Sequence, residues 1–111
     1  MRGITNRNKK EIKARQMYTK EGLIDGIKER EITIEKNRLD VEYITAEINF
    51  VKNRLQEKKP IPEIYLFDEG LMKAHINKLK FARDQINTQI TSLEEEIKNA
   101  KEKLATKFND V

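Results

Sequence analysis

The chain has no cysteine and no tryptophan, and only two prolines and four glycines in 111 residues. Without cysteine there are no disulfides, no thiolate zinc site and no cysteine nucleophile, so stability has to come from packing or association. With so few turn formers, a β-sandwich, a barrel or an α/β sheet is a poor fit, since each needs punctuation about every 8 to 12 residues. Apolar runs are short: none approaches the roughly 18 residues that would cross a bilayer. The opening Met1-Arg2-Gly3-Ile4-Thr5-Asn6-Arg7 lacks the apolar stretch of a secretion signal. These absences point to a cytoplasmic protein with no membrane partner.

Reaction chemistry is equally thin. The sole histidine, His75, sits between the apolar Met72 and Ile76 with no Glu-x-x-His spacing around it, so a di-iron bundle is not indicated. Glu94, Glu95 and Glu96 are consecutive, which on a helix turns their carboxylates about 100° apart and makes them a solvated face rather than a metal or acid–base pair. There is no glycine-rich phosphate loop and no Ser/His/Asp arrangement. The expectation is a protein that is not an enzyme, with no metal and no cofactor.

What the chain does hold is charged and hydrophobic residues, 38% and 37% of the total, a mixture suited to long helices. From Leu23 the apolar positions Leu23, Ile27, Ile34, Val41, Ile44, Ile48, Val51 and Leu55 step by four and three, with Arg30 and Asn37 completing the series. That is a heptad seam and predicts a helix over about 19–58. Pro60 and Pro62, the only prolines, end it and place a turn at 59–68. Asp68 then serves as N-cap for a second helix over about 69–107, whose seam is Met72, Ile76, Leu79, Arg83, Ile86, Ile90, Leu93, Ile97, Ala100 and Leu104. Two helices of matched length joined by a short turn form an antiparallel coiled-coil hairpin, so the fold class is all-α, with residues 21–108 as one helical domain. Gly22 and Gly26, one turn apart near the start of the first helix, predict a hinge or a break there.

Three surfaces remain unused by the seams. The first helix carries a second apolar stripe of Ile32, Leu39, Tyr43, Ala46 and Phe50, which its hairpin partner cannot also cover. A homo-oligomer, with a dimer closing a four-helix bundle as its simplest form, is the expected way to bury it. The turn gathers Ile61, Ile64, Tyr65, Leu66 and Phe67, either as a docking point for a protein partner or as a cap over the seam ends near Leu55 and Leu71. Residues 1–20 form a basic arm or short helix: Arg2, Arg7, Lys9, Lys10, Lys13, Arg15 and Lys20 face Glu11 alone, a net charge of +6, while the rest of the chain nets −2. Such an arm suits phosphate backbones or an acidic protein surface, although it has one aromatic, Tyr18, and no known nucleic-acid-binding motif.

The functional expectation is therefore a helical interaction protein, an adaptor, inhibitor or assembly factor, that binds a macromolecular partner through its coiled-coil faces and the turn. The alternative is a nucleic-acid-binding regulator in which a dimeric helical body carries two basic arms. The Lys-, Ile- and Asn-rich composition in a small chain is also of the kind found in phage and mobile-element proteins. Arg30, Asn37 and Arg83 interrupt the seams; the arginines are expected to reach out to water and Asn37 to set the register.

Overall fold

In the computed structural model, which describes residues 19–108, the chain forms two long helices packed against each other as an antiparallel hairpin. Helix α1 spans Lys20–Gln56 and helix α2 spans Glu69–Lys107. The pairing can be followed from two cross-helix contacts. Arg30 and Glu96 lie 66 residues apart in sequence, Thr45 and Arg83 only 38. The separation thus falls by about two residues for each step along α1, as antiparallel helices require.

The helix ends explain their own positions. Thr19 caps α1, its Oγ1 accepting the Gly22 N–H at 3.0 Å, and Asp68 caps α2, its Oδ1 accepting the Leu71 N–H at 3.0 Å. Glu21 and Glu69 occupy the first turns and Arg54 and Lys107 the last, each with the sign the helix dipole favours. At the end of α1, the Lys59 N–H bonds the Arg54 carbonyl at 2.8 Å and the Lys58 N–H bonds the Leu55 carbonyl at 3.1 Å. These are the two bonds of a Schellman cap, with Lys58 in the left-handed region at φ 58° where glycine is the usual occupant.

The expected hinge at Gly22 and Gly26 is not there: α1 runs unbroken through both. Two local effects offset the low helix propensity of glycine. Gly22 lies in the first turn under the Thr19 cap. At Gly26 the absent Cβ would lie 2.7 Å from Arg30 Nη1, the far end of a flexible side chain that a larger residue would displace. The bare backbone lets the Arg30 side chain lie along the helix while its Nε donates to Glu96 Oε2 at 2.8 Å.

The described chain divides into two compact units. One joins residues 35–91 and is built around Ile48, Val51, Ile61, Met72 and Ile76, with Ile44, Leu55, Ile64 and Leu79 packed against them. Ile61 enters this core from the turn. It and Ile64 exchange backbone hydrogen bonds at 3.2 and 2.9 Å around Pro62 and Glu63, and the Arg54 Nε donates to the Pro60 carbonyl at 3.0 Å. The other unit joins residues 19–34 to 92–108, and in it Leu23, Ile27, Ile34, Ile97 and Ala100 are buried.

Candidate interaction surfaces

A helix completes a turn in 3.6 residues, so each residue adds about 100°. On α1 this puts Ile32, Leu39, Tyr43, Ala46 and Phe50 roughly 130 to 180° around from the seam, on the side away from α2. All five are exposed, with Leu39 at 59%, Tyr43 at 69% and Phe50 at 43%. The stripe is continuous over the three turns from Leu39 to Phe50, and the Arg54 guanidinium stands 5.7 Å above the Phe50 ring at its end. Among the described residues of helix α2, Leu71 near its start and Phe81 are the exposed large apolar side chains.

The turn divides its five apolar residues between two roles rather than serving one. Ile61 is buried and Ile64 half-buried in the core, so they close the seam beside Leu55. Tyr65, Leu66 and Phe67 are turned out to solvent, with Tyr65 81% exposed. Leu71, expected under the turn as a seam end, is instead exposed; Met72, one residue on, is the seam residue and is fully buried. The period decides this, because Met72 is four residues before Ile76 and Leu71 is not in step with it.

The polar interruptions of the seams are resolved separately. Arg83 reaches across to α1, its Nη1 donating to Thr45 Oγ1 at 3.3 Å, and Arg30 pairs with Glu96. Neither arginine simply points to water, and Glu96 is thereby distinguished from its neighbours in the acidic run, although its side chain stays half-exposed. The Asn37 amide nitrogen makes no register-setting contact: Nδ2 is buried and has no hydrogen-bond partner among the described residues. That orphaned amide could not be foreseen from spacing, since it depends on what α2 places opposite.

Of the basic arm, Arg2, Arg7, Lys9, Lys10, Lys13 and Arg15 lie outside the described residues; Lys20 is the first residue of α1 and is exposed. His75 is half-buried at the edge of the α2 seam. Among the described residues no three His, Cys, Asp or Glu side chains converge as a metal site would require, and no helix is long and apolar enough to cross a membrane. Comparison with protein-family models, curated proteins and solved structures found no match to this chain.

Proposed function

We propose that this chain is a non-enzymatic helical interaction protein of the cytoplasm, an adaptor, inhibitor or assembly factor, whose working surface is the outer face of α1. The observation behind this reading is the exposed row of Leu39, Tyr43, Ala46 and Phe50. Large apolar groups at consecutive heptad steps on a solvent face are costly to leave wet, at about 25 cal/mol per Å², and such patches mark contact sites. Tyr65, Leu66 and Phe67 at the turn supply a second exposed apolar group for a protein partner.

The first partner is a second copy. In a two-fold antiparallel pairing of α1 with its counterpart, Tyr43 falls opposite Ala46 of the second copy and Leu39 opposite Phe50, matching large groups to smaller ones. Sedimentation velocity at micromolar concentration is expected to give a dimer mass, and Tyr43→Lys with Phe50→Lys to return a folded monomer with unchanged helical circular dichroism. A wild-type monomer would remove self-association from the proposal.

A second reading rests on the +6 charge of residues 1–20. There the helical body is a platform and the arms hold a phosphate backbone. Salt-sensitive retention of DNA or RNA that disappears when Arg7, Lys9, Lys10, Lys13 and Arg15 are neutralised would favour it over the first.

A further inference from the structure

Asn37 occupies a seam position of α1 in a place where it gains nothing. Its Nδ2 is closed off from solvent without a hydrogen-bond partner, and the pairing set by Thr45 and Arg83 brings it level with the buried Ile90. A seam asparagine fixes register when a polar group meets it across the interface. Level with an isoleucine its amide nitrogen finds no such group, so that nitrogen loses its water and receives no bond in return. Once the helices part at this level the amide is rehydrated. Asn37 therefore weights the equilibrium toward opening.

The distribution of burial says which part opens. Toward the turn, Ile48, Val51, Ile61 and Met72 are at most 2% exposed and form one connected core. In the unit formed by 19–34 and 92–108, the seam residues Leu23 and Ile97 each keep 9% exposure, and Arg30 takes a place an aliphatic side chain would fill. The Arg30–Glu96 pair that closes that level is about a third to a half exposed, where solvent screens it and its net contribution is small. Most of a helix's stability in a protein comes from packing of its apolar face, so segments released from each other lose that support and parting is also melting.

We propose that Asn37 sets the inner limit of a separately opening segment: residues 20–37 of α1 and 90–107 of α2 open and close together while the core nearer the turn stays folded. The open form lays bare the seam faces of Leu23, Ile27, Ile34 and Ile97. This does not depend on whether the outer face of α1 binds a partner.

Hydrogen exchange of the full chain, read by mass spectrometry, tests it. Amides in 20–33 and 94–107 should exchange at least about 10-fold faster than those in 44–55 and 72–83. Asn37→Leu and Asn37→Ala should slow the first group by about 10- to 100-fold, the range set by an unsatisfied buried amide, and the second group by much less. Asn49→Ala, on the exposed side of α1, controls for helix propensity and should leave the contrast in place. Uniform exchange along the wild-type helices would overturn the proposal. So would an equal slowing of both groups by the Asn37 variants, since that is the mark of one cooperative unit.

Discussion

Lys58 is a residue in a glycine's position. Its left-handed φ of 58° is imposed by the Schellman bonds that end α1, and a side chain there meets the following carbonyl. Lys58→Gly removes that contact at some cost in unfolded-chain entropy, and should stabilise the protein by about 0.5 to 1 kcal/mol. Thermal unfolding followed at 222 nm should show a rise of a few degrees. Gly26 is the reverse case, a glycine inside a helix whose missing side chain leaves room for Arg30. Sequence alone flagged Gly26 as a weak point because propensity is a local quantity, whereas its tolerance depends on Arg30 and Glu96, the latter 66 residues beyond the arginine.

At the level of elements, both helices and the turn between them were legible from period and punctuation. Their bounds follow Thr19, Asp68 and the proline pair, all local signals. The turn itself was only half legible. Ile61, Ile64, Tyr65, Leu66 and Phe67 are alike in composition, and only the backbone pairing of Ile61 with Ile64 sends the first two inward and leaves the last three outside. Ile61→Ala should therefore cost about 2 to 4 kcal/mol in urea unfolding, as for other fully buried aliphatic truncations, because it opens the core against Val51 and Met72. Tyr65→Ala should stay within about 0.5 kcal/mol, being a change on an exposed surface. Comparable losses for the two would mean that the turn packs as a single unit.

For the molecule as a whole, ionic strength separates the two functional readings because it acts on them with opposite sign. In the antiparallel pairing proposed for α1, Asp40 of each copy comes beside Glu47 of the other, so like charges flank the apolar row. Screening relieves that repulsion, and raising salt from 50 to 200 mM should tighten the dimer by a few-fold, as measured by sedimentation equilibrium. Binding of nucleic acid through about six phosphate contacts should weaken by about 10³-fold over the same range. Self-association that falls steeply with salt would contradict the packing proposed for the outer face.

The sequence by itself determined that the chain is helical, where each helix begins and ends, and that α1 carries more apolar surface than one neighbour can cover. Periodicity and capping are encoded within a few residues of one another, so they can be read without a structure. Only the tertiary pairing decided which turn residues enter the core and that the Asn37 amide nitrogen meets no polar partner. Each of those depends on residues distant in sequence brought level by the antiparallel register, and no local pattern specifies what lies across the seam.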